Sequence, residues 1–183
     1  GERCQVAEPR VAVRSSAVGE DGQNASFAGQ YDTYLNMVGA DAVVDAVARC
    51  WASAQAERVR AYHQQHGQAA TLLAVLVQQL VPADMSLVAF SANPVTDNRD
   101  EVVINASWGL GESVVSGTVT PDTYVVRKAD LYVTQRQIAE KQCMTVLAPG
   151  GVREVPIPRP MRCQPALSDA QASEVAQLAR TLE

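Results

Sequence analysis

The chain has 183 residues, 47% of them apolar, with a formal charge of −5 and a pI near 5.1. That length can bury a substantial core in one domain or two small lobes, while the acidic balance argues against a general nucleic-acid surface, which needs a basic stripe to displace counterions. No window approaches the roughly 18 consecutive apolar residues that span a bilayer, and no basic-then-apolar leader opens the sequence, so neither a membrane nor export is expected and the cytoplasm is the expected compartment.

Residues 1–9 read as an irregular lead-in and Val11–Ser15 as the first strand. Its end carries Arg14, Ser15 and Ser16 into a glycine-bearing loop that runs through Gly19, Gly22 and Gly29 to Tyr31. A fixed guanidinium, small hydroxyls and free backbone amides at one strand exit make a phosphate-holding edge. Taken alone, Arg14 also reads as a surface arginine at a strand end. Thr33–Met37 has the pattern of a short strand, and from Asp41 the spacing turns helical. Val43, Val44, Val47, Trp51, Ala54, Arg58, Val59 and Tyr62 recur every three to four residues, with Asp41 as cap and Gly67 as stop. This is the longest helix the pattern predicts.

Thr71–Val81 is a near-continuous apolar run whose Leu/Val content and length suit a buried strand, with Gln78 and Gln79 toward its end, and Pro82 breaks it. Ser86–Ser91, Glu101–Ala106, Thr123–Lys128 and Leu131–Ile138 are four further strands, separated by Asn93-Pro94, Asp97-Asn98, Gly109/Gly111 and Ala129-Asp130. Together these segments predict a mostly antiparallel sheet in the middle of the chain. Ser168-Asp169-Ala170-Gln171 forms a capping box ahead of an apolar face of Ala172, Val175, Leu178, Ala179 and Leu182. Because the sequence stops at Glu183, that face reads as a helix without its partner. The strand at Val11 likewise has no preceding element to cover it, so the chain reads as truncated at both ends.

Other features admit plain readings. Cys4, Cys50, Cys143 and Cys163 are widely spaced, which fits reduced thiols rather than a disulfide frame or zinc site. His63 and His66 lie one turn apart, where a solvated helix end outweighs a metal site. Gly109-Leu110-Gly111-Glu112 is a tight turn with an acidic exit, leaving Glu112 as a possible ligand; no P-loop occurs. Trp51, Trp108 and Tyr34 read as packing residues rather than base-stacking platforms.

Seven segments share their wording and order with a known family: Val13-Arg14-Ser15-Ser16-Ala17, Ala25-Ser26-Phe27-Ala28-Gly29-Gln30, Asp32-Thr33-Tyr34-Leu35-Asn36, Cys50-Trp51-Ala52-Ser53, Ala92-Asn93-Pro94-Val95-Thr96, Ala106-Ser107-Trp108-Gly109-Leu110-Gly111-Glu112 and Pro121-Asp122-Thr123-Tyr124. They resemble the ATP-grasp nucleotide-binding domain of the phosphoenolpyruvate synthases, pyruvate phosphate dikinases and rifampin phosphotransferases, over about Val11 to Met144. The resemblance implies an α+β, ATP-grasp-like fold, mostly antiparallel sheet with packed helices. Within one partial domain it implies a strand, phosphate loop and long helix over about 10–70, a sheet lobe over about 71–160, and the start of a cut helix at 168–183.

The implied activity splits ATP into AMP and two phosphates. A phosphoryl group passes to a histidine on a separate domain and then to pyruvate or a rifamycin hydroxyl. Residue by residue, Arg14 would contact the ATP phosphates and act in catalysis, with Ser15 beside it. Gly29 and Thr33 would lie in the loop over the phosphates, and Gln78, Gln79 and Val81 at the strand end that meets the adenine edge. Such chemistry rests on positioning and charge neutralisation, with ATP and Mg²⁺ as the implied cofactors. The implied partners are ATP and the phosphohistidine and acceptor-binding domains of the full-length protein. The family's glycine-rich lysine segment would lie before Gly1 and its metal ligands after Glu183, so this stretch alone is expected to be inactive. Leu87 and Asp97 stand where the family often has glycine. The alternative is a non-catalytic nucleotide-binding or interaction module with the same fold.

Overall fold

In a computed structural model the structure describes residues 8–17, 21–22, 25–26, 32–53 and 73–183. They divide into two compact units, one within Gly1–Val81 and Leu147–Val152, the other within Pro82–Val146 and Arg153–Glu183. Antiparallel sheets with a few helices make the class α+β. Among the described residues no helix is long and apolar enough to cross a membrane.

The first unit is built on β1 (Val11–Ala17), flanked by β4 (Thr33–Met37) and β5 (Leu73–Gln79) in the antiparallel order β4-β1-β5. Between β1 and β4, β2 (Asp21–Gly22) and β3 (Ala25–Ser26) pair as a two-residue ladder. Alternation along β1 sends Val11 and Val13 to one face, where α1 (Ala40–Ser53) covers them. Val13 is fully buried with Ala46, Cys50 and Met37, and Val43, Val47 and Val75 pack around them. A buried valine contributes about 1.5–3 kcal/mol relative to exposure. The cover expected ahead of β1 is supplied by a helix that follows it. That helix begins at Ala40 behind Gly39, at φ 86. Asp41 sits in its first turn rather than at the cap, where its charge still meets the helix dipole. The stretch past Ser53, with His63, His66 and the Gly67 stop, lies outside the described residues. Trp51, expected to pack, is 55% exposed.

β5 corrects the expected sheet. It pairs with β1 from Val11↔Gln79 to Ala17↔Leu73 rather than with the later strands, and its Leu76 and Val77 remain exposed. An apolar run of strand length fixes the element but carries no information on which sheet receives it.

The second unit is a four-stranded antiparallel meander of β6 (Met85–Phe90), β7 (Glu101–Trp108), β8 (Asp122–Arg127) and β9 (Val133–Gln137). A short α2 (Glu112–Val115) follows β7, and α3 (Arg159–Arg162) precedes α4 (Asp169–Leu182). The capping box at Ser168 forms as expected, with Gln171 N–H donating to Ser168 Oγ at 3.3 Å and Ser168 N–H donating to Gln171 Oε1 at 2.9 Å. Contrary to the expectation of a partnerless helix, α4 lies on the meander. Ala172 and Ala176 are fully buried against Val102, Ile104, Ala106, Tyr124 and Val126. Small side chains allow that close approach, while Leu178 and Leu182 stay exposed.

Two buried polar contacts fasten the segment before α4. Tyr124 Oη donates to Leu167 O at 2.9 Å and accepts from Leu167 N–H at 3.2 Å. Asp122, fully buried, accepts from Lys141 Nζ and Ala139 N–H through Oδ1, and from Ala166 N–H through Oδ2. Lys141 is equally buried. At Gly109, φ is +82 and a β-carbon would stand 2.5 Å from Thr145 O, so only glycine fits. Asp97, where the resemblance anticipates glycine, adopts φ 56.

Not foreseen in the sequence are α2, α3 and the hairpin of β10 (Cys143–Ala148) and β11 (Gly151–Pro156). The Pro149-Gly150 turn between its strands, with Gly150 at φ 74, was its readable mark.

Candidate functional site

The sheet β4-β1-β5 sorts the expected site residues by face. Arg14 pairs directly with Thr33 on β4 and with Leu76 on β5, while Gln78 pairs with Ala12, two residues before Arg14. Directly opposed residues share a face, as do i and i+2 on one strand. Arg14, Thr33 and Gln78 therefore occupy the face turned away from α1, and all three are exposed. Ser15 pairs with Val75 and Gln79 with Val11, which puts both on the α1 face. Ser15 is half-buried, its hydroxyl donating to Asp32 O at 3.5 Å, at the limit of a hydrogen bond. Val81 follows β5 and is 72% exposed. Gly29 lies outside the described residues.

None of the ion pairs among the described residues engages Arg14. An exposed guanidinium with no carboxylate partner among the described residues, beside a hydroxyl on the neighbouring strand, is a fork that can bind phosphate oxygens. The same face carries apolar Leu76, directly opposite Arg14 and two residues before Gln78.

Behind this face lies a polar cluster. Tyr34 Oη donates to Asp32 Oδ2 at 3.2 Å, and the Arg49 guanidinium stacks 4.2 Å above the Tyr34 ring while pairing with Asp45 at 3.0 Å. The Cys50 thiol contacts Val13 O and Asp32 O at 3.9 and 3.7 Å. Burial pushes both the Tyr34 phenol and the Cys50 thiol up, the Asp32 charge adds to each, and Arg49 opposes. Tyr34 and Cys50 are thus held neutral and serve packing. Trp108 also packs, against the second unit's core.

Asn36 is the residue whose part the sequence did not signal. It is 1% exposed at φ 61. Its Oδ1 accepts from Arg10 Nη1 at 2.6 Å, and its Nδ2 donates to Ala148 O and Gly151 O at 2.6 and 2.7 Å. The tolerance of asparagine for left-handed backbone was the available clue.

Glu112 opens α2 and is exposed, with no hydrogen bond to its carboxylate among the described residues. Those residues form no group of three or more His, Cys, Asp or Glu able to hold a metal ion. They do not fit a Mg²⁺ site by themselves.

Residues 1–183 match the family described as pyruvate phosphate dikinase, AMP/ATP-binding domain. The chain is 45% identical to the probable phosphoenolpyruvate synthase of Methanocaldococcus jannaschii over its whole length, covering 16% of that protein. It is 45% identical to the phosphoenolpyruvate synthase of Pyrococcus furiosus over 96% of its length, covering 23% of that protein. With the rifampicin phosphotransferase of Streptomyces sviceus it shares 46% identity over 94% of its length, covering 20% of that protein. The chain thus spans about a fifth of the length of these relatives.

Proposed function

The chain belongs to the pyruvate phosphate dikinase AMP/ATP-binding domain family, and from that premise we propose that it is the ATP-holding part of a longer cytoplasmic phosphotransferase. That protein breaks ATP into AMP and two phosphoryl groups, of which one passes to a histidine on a separate domain and on to pyruvate or a rifamycin-type acceptor, while the other passes to water and leaves as phosphate. The observation that carries the reading is the Arg14–Thr33 cross-strand pair, a guanidinium outside every described ion pair beside an exposed hydroxyl, in a chain that matches this family along its full length.

Arg14 neutralises phosphate charge, Thr33 donates a hydrogen bond to a phosphate oxygen, and Gln78 sits two positions along the same face toward the base. The strand end running to Val81 offers backbone groups to the adenine edge and Gly29 belongs to the loop over the phosphates, while Ser15, on the α1 face with its hydroxyl on Asp32 O, takes no side-chain part in the site. Positioning and charge neutralisation are most of what such a transfer asks of the part that holds the nucleotide. Mg²⁺ would be held by groups other than the described residues and would shield the phosphates when bound. The test is product analysis on the full-length protein incubated with ATP and Mg²⁺. AMP together with acid-labile protein-bound phosphate is expected; formation of ADP alone, with no labelled histidine, would sink the reading.

A further inference from the structure

We infer that Asn36 is a positioning residue: it fixes the strand register that sets Thr33 beside Arg14, and so acts on phosphate binding without touching phosphate. The inference rests on the phosphate-holding reading of the Arg14–Thr33 pair given above.

The register itself shows the need. Val11 pairs with Met37 and Val13 with Tyr34, two steps along β1 against three along β4. β4 therefore carries one extra residue, so that Leu35 and Asn36 together face Ala12 in a bulge. Past it, Tyr34 opposes Val13 and Thr33 opposes Arg14. If the pairing at Val11↔Met37 simply continued, Thr33 would oppose Ser15 and Tyr34 would oppose Arg14. A slip of one residue moves a side chain to the other face. Thr33 would then lie with α1, and Tyr34 would leave the core it shares with Val13 and Cys50. The bulge decides that Arg14 has a hydroxyl and not a phenol beside it.

Asn36 is built to hold that bulge. Its backbone is left-handed at φ 61, a conformation that glycine adopts most readily and that asparagine tolerates better than other side chains. Here a full side chain is kept in that position, 1% exposed, and its three hydrogen bonds all fall within the first unit. Arg10 occupies Oδ1, and the carbonyls of Ala148 and Gly151, on either side of the β10–β11 turn, occupy both protons of Nδ2. Arg10 is itself tied down, since its carbonyl accepts from Leu80 N–H at 2.8 Å just beyond β5. The bulge is thereby clamped from the edge of β1 and from the hairpin turn at once.

The experiment is a double-mutant cycle on the full-length protein, with ATP and adenosine binding read by calorimetry. Asn36→Gly keeps the left-handed backbone and deletes all three side-chain bonds. It is expected to weaken ATP roughly tenfold, within the range of one charge-assisted contact, and to leave adenosine unchanged. In an Arg14→Ala background the same substitution should change ATP affinity less than twofold, because the residue acts through Arg14 and its neighbour. A merely structural role would lower ATP and adenosine binding together, equally in both backgrounds, and that result overturns the inference. So does an unchanged ATP affinity in Asn36→Gly while Arg14→Ala loses it. If Arg14→Ala itself leaves ATP binding intact, the phosphate-site reading fails first and is seen to fail separately. Should Asn36→Gly not fold, Arg10→Met removes one of the three bonds from an exposed position, and a smaller loss confined to ATP is expected.

Discussion

Replacing Arg14 by alanine is the sharpest perturbation the sheet offers. The side chain is exposed on the face away from α1 and takes part in none of the described ion pairs, so its removal leaves no buried partner unsatisfied. Folding stability should shift by less than about 0.5 kcal/mol, the usual range for a surface substitution. Ligand binding should behave differently. One charge-assisted contact to phosphate is worth about 1.5–3 kcal/mol, which is about 10- to 150-fold in Kd. Exposure and salt push toward the lower end, since the Debye length is about 8 Å at physiological ionic strength. The assay is calorimetric titration of the full-length protein with ATP, ADP and adenosine. Loss for ATP and ADP with adenosine unaffected is the expected pattern, and Arg14→Lys should recover part of it, keeping the charge but not the fork. An ATP affinity within twofold of the parent protein would refute the assignment of Arg14 to phosphate.

Three further outcomes follow from the packing. Lys141→Met strands the fully buried Asp122 carboxylate and should cost about 3–5 kcal/mol in a urea titration, while Asp122→Asn combined with Lys141→Met should lose less; equal losses would contradict the pairing. Gly109→Ala meets both a φ of +82 and the Thr145 carbonyl at 2.5 Å, so a drop of about 2 kcal/mol or more in thermal unfolding is expected, and a neutral result would mean that the turn opens. Burial raises the Cys50 thiol above its ordinary 9.0. With the folded value higher than the unfolded one, its contribution to stability is complete below pH 9 and is lost as pH rises through the folded value. A thiol-labelling time course at neutral pH should therefore modify the exposed Cys163 promptly and Cys50 only on unfolding.

Much of this was written locally. The β1 and β4 strands, the meander strands and the capped α4 each carry their own periodicity or cap, and each formed where that signal lay. The pairing of Arg14 with Thr33 was not local. The motif wording groups the two residues as site candidates, but their shared face depends on the bulge at Asn36, which no alternation pattern encodes. The destination of β5 was equally illegible, because its apolar run suits either sheet. The cover on Val13 and on Ala172 was missed for a related reason: a chain-order reading searches for a partner before or after the element, whereas β1 and α4 are covered by elements that only the folded topology brings to them.

The two tryptophans of the chain fall one to each compact unit, and in unlike surroundings. Trp51 is mostly in solvent on α1, whereas Trp108 packs against the meander core with its indole N–H buried and unpartnered. Their emission should accordingly differ in colour, long-wavelength for Trp51 and short-wavelength for Trp108. Single-tryptophan variants would turn the native chain into a two-channel optical reporter, with nucleotide-induced changes in the first unit read apart from the melting of the second.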